Sequence, residues 1–255
     1  MFLTIHDVGS SCKNWVSFTN QEDMKETKDK SVFLHISLPG QHPAANDLDC
    51  GFPNMNTLAM NLVTVLDQLG VKDRGVVVLG DGAGANIAFR FAMYHPSRLY
   101  GLVLINCDTG NGGDCKTDLR GVENCALNVK NVKKYEESYK RRENITSKQL
   151  SKMTVETLLL AGAKSKPGSK SVAVKGSEEI MKKMKKGLCS IIKLSGVENV
   201  LEEAPKETAH ALILFCQGLG LLPAVQWRQG DRQGNMQEKK GQTLTNIDVR
   251  KVIRF

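Results

Sequence analysis

Long apolar runs are missing from this chain. No stretch approaches the ~18 uninterrupted apolar residues that a membrane-crossing helix needs, so a transmembrane segment is not expected. Paired cysteine spacing is missing too. Cys12, Cys50, Cys107, Cys115, Cys125, Cys189 and Cys216 are odd in number and contain no C-x-x-C, which leaves no zinc-ligand pattern. No metal or cofactor is therefore expected. Cys107, Cys189 and Cys216 lie in or beside apolar runs and read as small buried hydrophobes. No secretory leader is legible, so a reducing, cytoplasmic setting is the expectation, and the Asn144-Ile145-Thr146 sequon is a glycosylation site only on paper. Aromatic residues are scarce, at 5%. Without aromatic platforms or zinc patterns beside its basic clusters, the chain is not expected to read nucleic-acid sequence.

What is present is ordinary globular material: 255 residues, 41% hydrophobic and 24% charged, with no internal repeat. A chain of that length can bury a substantial core. The net charge of +8 is unevenly placed, with 8 Lys/Arg against 11 Asp/Glu in residues 1–108 and 27 against 16 beyond them. The excess gathers in Lys130–Lys152 and in Lys182, Lys183, Lys185 and Lys186. Such lysines can attract anionic lipid at ~1 kcal/mol each near a charged surface. A solvated helix face is the plainer reading.

Short apolar runs alternate with amphipathic segments. Met1–Ile5 leads into His6-Asp7-Val8-Gly9, and Ser31–Ser37 into Leu38-Pro39-Gly40. A helix follows with Leu58, Leu62, Val65, Leu66 and Leu69 at helical spacing, Asn54 as N-cap and Gly70 as stop. Then come a strand at Gly75–Leu79, a helix at Ala85–Met93 ending near His95-Pro96, and a strand at Gly101–Asn106. The pattern predicts an α/β fold whose mostly parallel sheet carries helices on both faces.

Between the third strand and its helix stands Gly80-Asp81-Gly82-Ala83-Gly84. This is the small-x-nucleophile-x-small frame of an α/β-hydrolase elbow, with glycine at the nucleophile position. Asp81 is a poor substitute, because centring the frame on it places Leu79 at a flank that must be small. It reads as pointing off the turn, or as a cap for the following helix, where a carboxylate suits the dipole. Gly80, Gly82 and Ala85 also fit a dinucleotide fingerprint with Asp108 as its acid, but such a site normally uses the first strand-turn-helix unit. The His6–Gly9 loop corresponds to the loop whose main-chain N–H groups help bind an oxyanion in α/β-hydrolases. Leu38-Pro39-Gly40 resembles their D-x-P-G loop without its Asp.

The stretches Leu3–Gly9, Gly80–Ala85, His95-Pro96, Gly101–Asn106, Tyr139–Arg142 and Phe215–Gly220 closely resemble the N-myc downstream-regulated (NDRG) family, over about residues 1–222. The resemblance implies an α/β-hydrolase-like domain without hydrolase activity. It also implies roles in stress response, growth control, differentiation and signalling through protein partners. Against the family pattern, the chain opens at what should be the third strand, so the N-terminal antiparallel strands are expected to be missing and a sheet edge exposed. The cap, about 109–153, is short and polar, with Tyr135 and Tyr139 at helical spacing. The tail 223–255 is polar and expected to be disordered.

The other triad positions also depart from a working hydrolase. The strand Val155–Ala161 leads to Gly162-Ala163-Lys164-Ser165, with no carboxylate where the acid belongs. Leu188–Leu194 leads to Ser195-Gly196-Val197-Glu198, with Val197 where the base belongs. Losing triad members removes most of the rate, so an enzyme is not expected. An esterase with an unorthodox nucleophile is the alternative. A remaining pocket would be lined by His6, Asp7, Gly9, Gly40, Asp81, Gly82 and Ala83, and could hold an anionic small molecule. Among the other histidines, His35 reads as a satisfied sheet imidazole, His42 as a loop residue at the ligand-binding edge, His95 as a helix end, and His210 as remote from the triad.

Overall fold

Aliphatic runs too short for buried helices, spaced by amphipathic helices, bury best as parallel strands shielded on both faces. The computed structural model describes residues 1–72, 74–108, 110, 122, 126–164, 171–223, 225 and 251–254. Its strands are β1 (Phe2–Ile5), β2 (Phe33–Ser37), β3 (Val76–Asp81), β4 (Leu99–Ile105), β5 (Thr157–Gly162) and β6 (Cys189–Leu194). They pair in parallel in the order β6-β5-β4-β3-β1-β2. The helices are α1 (Cys12–Thr19), α2 (Lys25–Lys28), α3 (Met55–Gln68), α4 (Ala83–Tyr94), α5 (Val129–Lys140), α6 (Ser147–Ser151), α7 (Val172–Lys183), α8 (Val200–Glu203) and α9 (Pro205–Gly218).

Strand alternation divides the apolar side chains between two cores. Leu3, Ile5, Val76, Val78, Leu102 and Leu104 face the core shared with α3 and α4. Phe2, Val77, Leu79, Val103 and Ile105 face the opposite core, where they meet Trp15, Phe18 and Leu212. The α3 helix is bounded as its sequence predicts: the Asn54 side chain accepts from the Thr57 N–H at 2.8 Å, and Gly70 turns away with φ +74°.

Lys251–Arg254 forms a seventh strand, β7, parallel to β2 with Leu34 opposite Lys251 and Ser37 opposite Arg254. The outer edge of β2, expected to be bare, is thus paired, which satisfies main-chain groups that an edge leaves open. The remainder of the tail expected to lack structure, 223–255, lies almost wholly outside the described residues, as does the first part of the 109–153 cap. The described cap consists chiefly of α5 and α6.

The elbow glycines are required by backbone contact. A Cβ on Gly80 would overlap the Gly84 carbonyl oxygen, and one on Gly84 would overlap the Ile5 carbonyl oxygen. Both obstacles are main chain and cannot rotate aside. Gly84→Ala is therefore expected to cost about 3 kcal/mol, read as a lower urea midpoint. A change below about 0.5 kcal/mol would contradict this close approach of α4 to β1.

Candidate functional site

The β3–α4 turn is the one the glycine frame predicts. Gly82 has φ +51° and ψ −113° and caps α4 without a side chain, and its N–H donates to the Ile105 carbonyl at 3.0 Å. Across from it, the loop after β1 delivers Asp7. Asp7 Oδ1 accepts two main-chain hydrogen bonds, from the Val8 N–H and the Ala83 N–H, each at 2.7 Å. A Cβ on Gly82 would overlap the Asp7 carboxyl carbon and both of its oxygens. The space over Gly82 is filled by Asp7.

Of the two roles expected of Asp81, the structure excludes the helix cap. Asp81 does not cap α4; no side chain of its own turn does, and the first helical N–H points across to Asp7. Asp81 instead ends β3 beside Asp7. Burial, then the Asp7 charge and the Glu202 charge, hold the Asp81 carboxyl well above the usual carboxylate range, against a hydrogen bond from the Gly82 N–H. Burial raises Asp7 to about 6, opposed by the two N–H groups that favour its ionised form. Two enclosed carboxyl groups with like charge cannot both ionise cheaply.

The sign of the resulting pH dependence follows. Because the folded chain holds the Asp7 proton more tightly than the unfolded chain, with its value raised from 3.8 to about 6, this carboxyl removes stability as pH rises through that window. Its full cost is present above the window and absent below it. Asp7→Asn keeps an acceptor oxygen and removes the charge. Its stability relative to the parent chain is expected to improve between about pH 4 and about pH 8, measured by urea unfolding at both ends. A constant difference would show that Asp7 does not titrate there.

His6 is held on both ring nitrogens. It is fully buried, the Leu38 N–H donates to its Nε2 at 3.3 Å, and its Nδ1 lies 2.8 Å from the Asp7 carbonyl oxygen. These partners assign the proton to Nδ1, and burial lowers the imidazole to about 4. His6 is a neutral strut between the β1 and β2 loops. Gly9 turns its loop with φ +74°. Gly40, at φ +65°, is covered from the cap, since a Cβ there would come within 2.6 Å of Asn131 Nδ2. His35 is buried and satisfied by the Thr4 hydroxyl at 2.8 Å, as expected. Cys107 and Cys216 are buried as expected, whereas Cys189 is half-buried on the edge strand β6.

Helix α5 packs against the loops that follow β1 and β2. Its buried face presents Asn131, Val132, Tyr135 and Tyr139. Asn131 Nδ2 donates to the carbonyls of Gly40 at 3.2 Å and Asn46 at 2.8 Å, and its Oδ1 accepts from the Leu48 N–H at 2.9 Å. Tyr135 stacks on Phe52 with ring centroids 4.7 Å apart, and its hydroxyl donates to the His6 carbonyl at 3.2 Å. Just past α5, the buried Arg142 side chain pairs with Asp108 at 2.9 Å and lies 3.8 Å over the Tyr139 ring. The Asp108 carbonyl accepts from Asn86, whose Oδ1 accepts from Arg90 Nε at 2.8 Å. Asp108 is therefore committed to the cap, and the dinucleotide reading loses its ribose ligand.

The loops after β5 and β6 lie side by side. The Lys164 N–H donates to the Val197 carbonyl at 2.8 Å, and a Cβ on Gly162 would come within 2.7 Å of that same oxygen. Ala163 and Val197 sit in this paired loop layer. Among the described residues no group of three or more His, Cys, Asp or Glu side chains could hold a metal, and no helix is long and apolar enough to cross a membrane. Of the basic cluster, Lys182 and Lys183 share Glu179, each at 3.2 Å, at the end of α7, while Lys185 and Lys186 are exposed in the loop that follows.

Sequence reasoning placed Asp7 in the pocket without a role, and it missed Asn131 and Arg142. One signal was available for Asp7. The loop that reads His-Gly in the hydrolase pattern reads His6-Asp7 here, and the elbow that should carry a side chain reads Gly82.

A sequence profile described as the Ndr family matches residues 1–119 and 114–223. The chain is 31% identical over 262 residues to an uncharacterized protein of Caenorhabditis elegans, covering 88% of this chain and 78% of that one. It is also 31% identical over 265 residues to protein NDRG1-A of Xenopus laevis, covering 88% of this chain and 66% of that one. Among solved structures it is similar to a thermophilic esterase from Thermogutta terrifontis with malate bound, at TM-score 0.62 and 14% identity, covering 83% of this chain and 87% of that one. This last likeness establishes the α/β-hydrolase fold. From the matched profile and the curated relatives, the chain belongs to the Ndr family.

Proposed function

We propose that this chain works without catalysis, as a cytoplasmic binding protein in signalling, stress response or differentiation. The observation that carries this reading is the Asp7 carboxylate standing over Gly82. A substrate carbonyl would have no attacking atom, no base at Val197 and no acid at Ala163. General acid–base help alone is worth ~10²–10⁴-fold, so an elbow frame without these groups supports binding over turnover. The anchored cap supports it too, because a partner would meet one fixed surface. Affinity purification with mass spectrometry under physiological salt tests the reading, with specific protein partners expected. Hydrolysis of p-nitrophenyl acetate above buffer, abolished by Asp81→Asn, would overturn it in favour of an unorthodox esterase.

Attachment to anionic membranes is a second reading, supported by exposed Lys185 and Lys186 next to Lys182 and Lys183. Sharing of Glu179 by two of the four reduces their net charge. Flotation with phosphatidylserine vesicles, compared with a variant carrying Glu at all four lysines, decides it. Equal flotation of the two proteins rejects it.

A further inference from the structure

The fold's oxyanion hole is made of two main-chain donors: the N–H after the nucleophile and one from the loop after the β1-equivalent strand. Here those donors are the N–H groups of Ala83 and Val8. Both point at one atom, Asp7 Oδ1, at 2.7 Å each. A carboxylate oxygen receiving two convergent N–H groups has the charge and the donor geometry that a tetrahedral oxyanion would have. We propose that Asp7 is a built-in surrogate oxyanion: its carboxylate occupies the two-donor hole of Val8 and Ala83, blocks the volume over Gly82, and closes the site to acyl ligands from within.

Three further observations fit this assignment. The carboxylate lies at the N-terminus of α4, a helix of twelve residues whose dipole favours an anion there. The Asp7 main chain is fixed independently of its side chain, since His6 Nδ1 donates to the Asp7 carbonyl and the Ser10 N–H also donates to it at 3.3 Å. A loop held in this way delivers the carboxylate to one place. Finally, the cap buries Tyr135 against the carbonyl of His6, next in sequence, and the Ala83 donor is itself fully buried. Asp7 fills the site whatever the outer surface recognises.

Removing the side chain should expose a small-carboxylate site. Asp7→Ala is expected to unfold at a lower temperature than the parent chain and to regain part of the difference on titration with sodium formate, along a saturating curve. Sodium chloride and formamide at equal concentration should not reproduce it, and the parent chain should show only the general salt response. Parallel formate and chloride responses in Asp7→Ala would overturn the assignment. A second measurement does not require that variant to fold. In the parent chain the amide protons of Val8 and Ala83 should resonate downfield, and both should move upfield in Asp7→Asn, where a neutral oxygen replaces the charged one. Movement of one or neither of the two would overturn the proposal.

Discussion

Gly82→Ser is expected to lower the stability of this protein by about 3 kcal/mol and to confer no ester hydrolysis. Two costs coincide at the position. The turn at φ +51° and ψ −113° is open to glycine, and a side chain there stores about 1–3 kcal/mol of strain. Working elbows accept that strain, because a nucleophile in a tight turn is their purpose. Here the new Cβ also collides with the Asp7 carboxyl group, so the loop after β1 must move and both N–H bonds to Asp7 must lengthen. Urea unfolding reads the loss and p-nitrophenyl acetate reads the activity. Pairing the change with Asp7→Gly should recover a large part of the loss, because the collision is gone while the turn strain remains. If Gly82→Ser were as stable as the parent chain, the account of a filled elbow would be wrong.

Arg142→Leu is expected to be comparably damaging, at about 3 kcal/mol, the lower end of what breaking a buried ion pair costs. The Arg142 side chain is 0% exposed, while Asp108 keeps 32% exposure, so water can take back part of the carboxylate. The substitution removes more than a charge. The guanidinium also lies on the Tyr139 ring and donates to the Tyr139 carbonyl at 2.9 Å, binding the end of α5 to the end of β4. Loss of the pair should loosen the cap before the sheet. Hydrogen exchange in α5 should then accelerate by a larger factor than in β3 or β4. Arg142→Lys should restore only part of the stability, because an ammonium cannot stack flat and bridge both sites. A loss under about 1 kcal/mol would place the pair among ordinary exposed contacts.

Much of the architecture was legible from neighbouring residues. Val76–Leu79 is uninterrupted because a central parallel strand is buried on both faces. Asn54 and Gly70 bracket α3 because capping is a local matter. The glycines of the elbow were legible as a spaced motif, and the contact that requires Gly80 is local, whereas those that require Gly84 and Gly82 reach Ile5 and Asp7 across to the β1 end of the sheet. The roles of the side chains followed a different rule. Asp81 read from its position as pointing off the turn or capping the helix, yet Asp7, 76 residues before Ala83 in the chain, makes the capping bond. His6 read as a pocket residue from its place at a strand end, yet it is a sealed strut. Tyr135 and Tyr139 read as a helical stripe on a polar cap, with nothing nearby to say that they face the elbow.

The chain order of apolar runs, caps and small residues thus settled the fold class and the absence of an attacking group at Gly82. These depend on periodicity and on backbone sterics, which act over a few residues. What fills the place over Gly82, why both neighbouring carboxyl groups hold their protons more tightly, and how the cap is held were decided only when β1, β3 and α5 came together in space. Charge and hydrogen bonding act across a few ångströms whatever the separation along the chain, so no local pattern could assign Oδ1 of Asp7 to the two N–H groups that now hold it.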